Sequence, residues 1–190
     1  RSVDAGVEKI ICVSSNIEDS KNSIELAKKF PGIVYACVGI HPQQTDPENP
    51  DSLEVQLDKL AQLAKCPEVV AIGECGLDYS PAPPGEKDRK KEEQFFLLEG
   101  QLQLAQKLDL PLSFHPRKAT DDFLEIVARY SPLFGVWHCY TGGKSKIQKV
   151  VDLGLYFGID GNLTYDEGLQ NVVKEIPLEK ILLETDAPFL

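Results

Sequence analysis

Five residues able to bind a metal ion or transfer a proton come directly after short apolar runs of this chain. His41 follows VGI, Glu74 follows AIG, His115 follows SF, His138 follows VW, and Asp186 follows LLET. A single residue of this kind would more often be structural. Burying several ionisable groups together is costly unless they pair or bind a cation, so their recurrence at five strand ends favours one shared site.

The residue types at these places indicate which ions would bind. Imidazole and carboxylate groups together suit borderline or hard divalent ions such as Zn²⁺, Mn²⁺ or Mg²⁺. We do not expect the thiols to join them, because side chains alternate across a strand. If Glu74 and His138 point into the site, Cys75 and Cys139 point away from it. The sequence therefore predicts a divalent-metal site with nitrogen and oxygen ligands.

Short β-branched runs and segments with helical spacing alternate along the chain. Seven strands are predicted, at KIICVSS, IVYACVGI, EVVAIGE, LPLSFH, FGVWHCY, LYFGIDG and KILLETD. Six helices are predicted between them, near 18–30, 51–65, 88–108, 119–130, 144–153 and 166–175. This alternation is typical of βαβ units and a parallel sheet. The carboxyl ends of parallel strands share one face, which would bring the five residues together.

Two architectures fit seven parallel strands. A closed barrel normally has eight strands in about 250 residues, whereas an open doubly wound sheet can also hold seven. Strand counting alone does not decide between them. No low-complexity linker divides residues 1–190, so we expect a single domain.

The composition narrows the possible partners and the compartment. The net charge is −10, which argues against broad, nonspecific attraction to nucleic acid or to an anionic membrane surface. No apolar run approaches the length needed to cross a bilayer, so no membrane association is expected. The five cysteines are odd in number and contain no CxxC pair, which predicts reduced thiols and a cytoplasmic protein.

Five motifs also carry a family resemblance. GIHPQ, AIGECGLDY, FHPRKA, WHCYTGG and ETDAPFL, in this order, resemble the TatD family of metal-dependent deoxyribonucleases, which lies within the amidohydrolase-like TIM barrels. The similarity runs through essentially the whole chain. It implies a TIM-type (β/α) barrel, present here as about seven of its eight strands.

The resemblance also implies roles for individual residues. Glu74, His115, His138 and Asp186 would be the metal ligands, around a pair of ions (Mg²⁺, Mn²⁺ or Zn²⁺) in the intact protein. Glu74 would be shared between the ions, and Asp186 would also take the proton of the attacking water. His41 and Arg117 would contact the substrate phosphate. Glu184, two residues before Asp186, is either an outer support or a second metal contact, and we leave it outside the ligand set.

One departure from the family pattern concerns the ends of the chain. The family begins with a DxHxH motif on its first strand, and no HxH occurs here. The family also continues with helices after ETDAP, and this sequence contains no methionine. We therefore expect this chain to be part of a longer protein, without the first strand and the C-terminal helices.

The predicted function is cleavage of DNA phosphodiester bonds at ends or in single strands, as a deoxyribonuclease of the exonuclease type. The alternatives are a hydrolase of esters or small molecules, such as an aminoacyl-ester deacylase, and a non-catalytic remnant. Arg117 favours phosphate, because its planar guanidinium can bind two phosphate oxygens. Weak further support comes from basic residues after the ligand-bearing strands, which we call the basic rim: Lys87, Arg89, Lys90, Lys91, Arg117, Lys118, Lys144 and Lys146. The sequence does not indicate an oligomeric state.

Overall fold

The computed structural model describes residues 2–44, 52–82 and 89–187. Its strands are β1 (Ile10–Val13), β2 (Val34–Val38), β3 (Val69–Asp78), β4 (Leu112–Arg117), β5 (Gly135–Trp137), β6 (Tyr156–Ile159) and β7 (Ile181–Leu183). Its α-helices are α1 (Ile17–Lys29), α2 (Leu53–Leu63), α3 (Lys91–Leu108), α4 (Thr120–Ala128), α5 (Ile147–Asp152) and α6 (Glu167–Val173). All seven predicted strands and six predicted helices are therefore present.

The seven strands form one sheet in the order β1-β2-β3-β4-β5-β6-β7, and every neighbouring pair is parallel. A doubly wound sheet reverses its strand order at a switch point, and no reversal occurs here. The sequential order is that of a TIM-type barrel. Within the described residues β1 and β7 each pair on one side only, so the sheet is an open barrel. The predicted barrel fold is confirmed.

Short polar residues fix where several helices begin. Asn16 precedes α1 and its side chain accepts a hydrogen bond from the amide of Asp19. The side chains of Ser52 and Asp166 accept the same kind of hydrogen bond from a backbone amide at the starts of α2 and α6. Such caps satisfy amide groups that have no partner inside the helix. They explain why the helices begin close to the predicted positions.

A group of buried aromatic residues packs between the sheet and α4. Phe114 on β4, Phe123 on α4, Trp137 on β5 and Phe157 on β6 are fully buried. The rings of Phe114 and Phe123 meet edge to face at 5.1 Å, and those of Phe123 and Trp137 at 5.4 Å. This packing fixes β4 and β5 relative to each other. The residues that follow these buried rings, His115 and His138, are held in place by the same contacts.

Strand β3 is longer than the sequence suggested. The predicted strand ended at Glu74, but pairing with β4 continues through Gly76↔His115 to Asp78↔Arg117. Glycine ordinarily weakens a strand. Here Gly76 is needed for close approach, since a Cβ at this position would lie 2.2 Å from the carbonyl oxygen of His115. The extension places Asp78 at the same end of the sheet as Glu74.

A second close approach, between the end of β2 and β3, can be tested by mutation. A Cβ on Gly39 would lie 2.2 Å from the carbonyl carbon of Gly73 and 2.6 Å from the amide nitrogen of Glu74. Backbone atoms cannot rotate away, so Gly39→Ala is expected to lower the free energy of unfolding by about 1–3 kcal/mol. Urea denaturation measures this. Gly161→Ala is the control, because a Cβ there meets nothing within 4 Å. Equal stability of the two variants would contradict the close approach.

Candidate metal centre

Short contacts centred on Glu74 and His138 connect the side chains of the five residues found at the strand ends. Oε1 of Glu74 lies 2.6 Å from Nδ1 of His115, 3.7 Å from Nε2 of His138 and 3.9 Å from Nε2 of His41. Asp186 completes the group, with Oδ1 at 3.6 Å from Nε2 of His138. Residues up to 145 positions apart in sequence are thus brought together at the carboxyl ends of the strands.

The donor set fits a divalent cation. Ligand atoms of His41, Glu74 and His115 all lie within 4.8 Å of one another. Nε2 of His115 is buried and has no hydrogen-bond partner among the described residues. Imidazole nitrogens and carboxylate oxygens are common ligands of zinc and manganese. The chemistry and the spacing of these groups therefore suit a metal ion.

Glu184 determines how His138 faces the site. Oε2 of Glu184 lies 3.0 Å from Nδ1 of His138, and Oε1 accepts a hydrogen bond of 2.5 Å from the amide of Cys139. Nδ1 of His138 therefore carries a proton, and Nε2 faces Glu74 and Asp186. Gly158 makes room for this carboxylate, because a Cβ there would lie 2.6 Å from both its oxygens. The structure places Glu184 behind His138, on the side away from the cluster.

Asp78 lies beside His115, on the side of the ring away from Glu74. Its Oδ2 lies 3.7 Å from Nε2 of His115 and accepts a hydrogen bond of 2.7 Å from Gln43. Its Oδ1 accepts one of 2.8 Å from the amide of Ser80. The side chain is only 1% exposed. Asp78 was not among the site residues predicted from the sequence. Its position four residues after Glu74 on one strand, and so on the same face, could have revealed it.

His41 presents a hydrogen-bond donor to the cluster. Its Nδ1 accepts a hydrogen bond of 3.1 Å from the amide of Gln43. Burial, together with the charge of His115, lowers the pKa of His41 to about 4. The ring is therefore neutral near pH 7, with its proton on Nε2. An N–H directed at the site suits a phosphate oxygen better than a cation.

Glu74 and His115 form a buried ion pair when no cation is bound. Burial raises the pKa of Glu74, but the hydrogen bond with His115 and the neighbouring imidazoles lower it to about 2. Burial lowers the pKa of His115, but its contacts with Asp78 and Glu74 outweigh this and raise it to about 9. A cation that binds His115 must displace its proton, so cation affinity is expected to rise with pH.

The raised pKa of His115 also predicts how stability depends on pH in chelator-treated protein. Folding raises the pKa of His115 from 6.5 to about 9, so the protonated imidazole stabilises the folded protein. This stabilisation is fully present below pH 6.5 and is lost as the pH rises through about 9. Glu74 stays ionised throughout this window. We expect the free energy of unfolding in EDTA, measured with urea, to fall between pH 6.5 and pH 9. His115→Gln should flatten this decline, and parallel curves for the two proteins would contradict it.

Arg117 ends β4 two residues after His115, on the same face of the strand, and its side chain is exposed. Across residues 2–44, 52–82 and 89–187 its guanidinium forms no ion pair. Other members of the basic rim pair with carboxylates: Lys90 with Glu93, Lys91 with Asp122, Lys144 with Glu175 and Lys146 with Asp121. Lys87 lies outside the described residues. Much of the basic rim is thus neutralised, while Arg117 is available.

The thiols do not enter the cluster. Cys75 is buried, with its Sγ 3.7 Å from the carbonyl oxygen of Ser113. Sγ of Cys139 donates to Oδ2 of Asp160 at 3.3 Å, and burial with this contact raises the pKa of Cys139 to about 12. It therefore remains a protonated thiol. All five cysteines are free.

Among the described residues, no helix is long and apolar enough to span a bilayer.

Comparisons with known proteins agree with the motifs. A family model described as TatD related DNase matches residues 1–190. The chain is 35% identical over 197 residues to the "3'-5' ssDNA/RNA exonuclease TatD" of Salmonella typhimurium, covering 100% of this chain and 71% of that protein. It is 38% identical over 199 residues to the "Deoxyribonuclease Tat-D" of Schizosaccharomyces pombe, covering 100% of this chain and 62% of that protein.

The fold agrees as well. The crystal structure of YJJV, a TatD homologue from Escherichia coli K12, superposes with a TM-score of 0.84 at 33% identity, over 98% of this chain and 70% of that one. A TatD family hydrolase from Entamoeba histolytica gives a TM-score of 0.81 at 30% identity, over 97% of this chain and 62% of that one. This chain therefore spans about two thirds of the length of the proteins it matches. These matches confirm the resemblance seen in the motifs, and the chain belongs to the TatD-related DNase family, whose members hydrolyse phosphodiester bonds.

Proposed function

We propose that this chain carries the active site of a divalent-metal-dependent exonuclease that cleaves single-stranded DNA or DNA ends. The observation that carries the proposal is the position of Oε1 of Glu74, within 4 Å of a nitrogen from each of three histidines, with Asp186 beside them. The names of the Salmonella and Schizosaccharomyces relatives, an exonuclease and a deoxyribonuclease, support the substrate class.

The cation ligands in this proposal are Glu74, His115, His138 and Asp186, with a pair of Mg²⁺, Mn²⁺ or Zn²⁺ ions in the intact protein. A bound divalent cation supplies charge neutralisation at phosphate oxygens and lowers the pKa of a coordinated water. The chain prepares its ligands in advance. Glu184 lies behind His138 and fixes its orientation, which raises ligand basicity, and Asp78 adds a buried carboxylate 3.7 Å from Nε2 of His115.

The remaining groups act on the substrate and on the proton. The side chain of Asp186 is 35% exposed, so one of its oxygens can accept the proton of the attacking water. The Nε2–H group of His41 donates a hydrogen bond to a phosphate oxygen. Arg117 binds two phosphate oxygens through its guanidinium, a contact that lysine cannot reproduce. Together these residues hold the phosphate in place for attack.

We further propose that the protein works in the cytoplasm. The five free thiols support this, because a reducing compartment keeps thiols unpaired. The absence of a spanning helix from the described residues is compatible with it.

The test is a nuclease assay on the full-length protein with Mn²⁺ or Mg²⁺. A single-stranded oligonucleotide labelled at its 5′ end is expected to shorten one nucleotide at a time, and EDTA should stop the reaction. A generic ester such as p-nitrophenyl acetate is assayed in parallel. Ester turnover without nucleotide release would replace the proposal with the esterase alternative. Neither turnover nor Mn²⁺ binding would favour the non-catalytic remnant.

A further inference from the structure

Exposed aromatic side chains are few in the described part of the chain, and one of them differs from the rest in its position. Phe30, Phe96, Phe134 and Tyr165 are the exposed aromatic residues of these ranges. Phe30 lies between α1 and β2, and Phe134 directly precedes β5, so both are at the amino ends of strands. Phe96 lies within α3. Tyr165, 70% exposed, is in the loop that follows β6 and so lies on the face that carries the metal centre.

A continuous series of contacts connects Tyr165 to the metal centre. Glu184 links His138 to the amide of Cys139. The thiol of Cys139 donates to Oδ2 of Asp160. The same Oδ2 accepts a hydrogen bond of 2.9 Å from Nδ2 of Asn162. The hydroxyl of Tyr165 then donates to Oδ1 of Asn162.

These contacts hold the ring of Tyr165 in place while leaving it accessible. Asp160 is buried and accepts two hydrogen bonds from Asn162. One comes from the backbone amide of Asn162 at 3.0 Å, and the other comes from its side-chain Nδ2. The backbone after Asp160 forms a 3-10 turn at Gly161–Thr164. At its end, the backbone amide of Tyr165 donates a hydrogen bond to the carbonyl of Asn162. A large aromatic ring exposed to water but anchored through its hydroxyl is a preorganised contact surface.

The negative net charge of the protein favours an uncharged mode of contact with nucleic acid. The net charge is −10, and lysines of the basic rim pair with carboxylates. Attraction of the nucleic-acid backbone by surface charge is therefore weak. Aromatic side chains bind single strands by stacking on bases, and this contact tolerates every sequence because each base has a π-face.

We propose that Tyr165 is the stacking platform for an unpaired nucleobase of the substrate at the mouth of the metal centre. This inference rests on the proposed nuclease function and adds a residue that selects single strands, since a base inside a duplex cannot reach the ring. Stacking on one aromatic side chain strengthens binding by about 5- to 150-fold.

The experiment measures binding of a fluorescent single-stranded oligothymidylate by anisotropy, with phosphorothioate linkages to slow cleavage. Tyr165→Ala is expected to raise Kd about 5- to 150-fold, whereas Tyr165→Phe keeps the ring and should stay within about threefold. An oligonucleotide of the same length without bases should bind the native protein and Tyr165→Ala equally. Phe134→Ala is the matched control, because Phe134 is 72% exposed on the opposite face.

The outcomes separate this inference from the function on which it rests. If the native protein degrades the oligonucleotide and Tyr165→Ala binds it as tightly, Tyr165 is not a stacking platform. An equal loss of affinity for the oligonucleotide without bases would also overturn the inference, because it would indicate a backbone contact. If Tyr165→Ala weakens binding as expected but the native protein releases no nucleotides, the stacking surface stands and the exonuclease proposal fails.

Discussion

Glu74→Gln is expected to lower kcat/KM for single-stranded DNA by about 10³-fold or more, equivalent to about 4 kcal/mol of transition-state stabilisation. The substitution keeps the size of the side chain and removes its charge. Oε1 of Glu74 is the atom on which three imidazoles converge, at 2.6, 3.7 and 3.9 Å. Without its charge the cluster loses the carboxylate that offsets a divalent cation.

The control for this variant is Glu125→Gln, which alters an exposed carboxylate paired with Arg129 on the protein surface. It is expected to keep native activity. Circular dichroism should show that Glu74→Gln remains folded, so that the loss of activity has a local origin. Activity of Glu74→Gln within tenfold of native at saturating Mn²⁺ would show that this carboxylate is not a metal ligand.

Glu184→Gln is expected to weaken Mn²⁺ binding by about 10- to 100-fold, the usual effect of removing a carboxylate that orients a ligating histidine. The carboxylate accepts from both Nδ1 of His138 and the amide of Cys139. The two donors face different oxygens of Glu184, and glutamine keeps an acceptor at only one of these positions and places an NH₂ donor at the other, so one hydrogen bond is lost. The imidazole of His138 would then lose its fixed orientation toward the cluster.

Isothermal titration with Mn²⁺ checks this directly, because it reports affinity independently of turnover. Glu179→Gln, at a residue in the turn before β7, serves as the control. Unchanged Mn²⁺ affinity together with reduced activity would mean that Glu184 acts on the substrate, and not through His138.

The sequence predicted the larger features of the fold because they depend on repeated patterns. Alternating apolar runs indicated every strand and helix, and the polar residues at strand ends identified the face where the site lies. The strand order could be determined only from the family motifs or from the structure, because short apolar strands of similar composition do not specify which strands they pair with. The predicted end of β3 at Glu74 was wrong, because the strand continues to Asp78 and Gly76 permits the close approach of β4.

The supporting residues of the site were harder to predict than its central ones. His41, Glu74, His115, His138 and Asp186 stand out because each interrupts or ends an apolar run. Asp78 and Glu184 lie beside imidazoles 37 and 46 positions away in sequence. Their spacing from Glu74 and Asp186 places them on the same strand faces as the site, but it does not show which imidazole each one contacts. Only coordinates show that each carboxylate lies beside an imidazole.

Anomalous X-ray scattering from crystals of the protein soaked in Mn²⁺ locates the bound cation itself. We expect anomalous density in direct contact with Glu74, His115, His138 and Asp186 at the carboxyl ends of the strands. Density located elsewhere, or no density with these four side chains turned away from one another, would contradict this expectation.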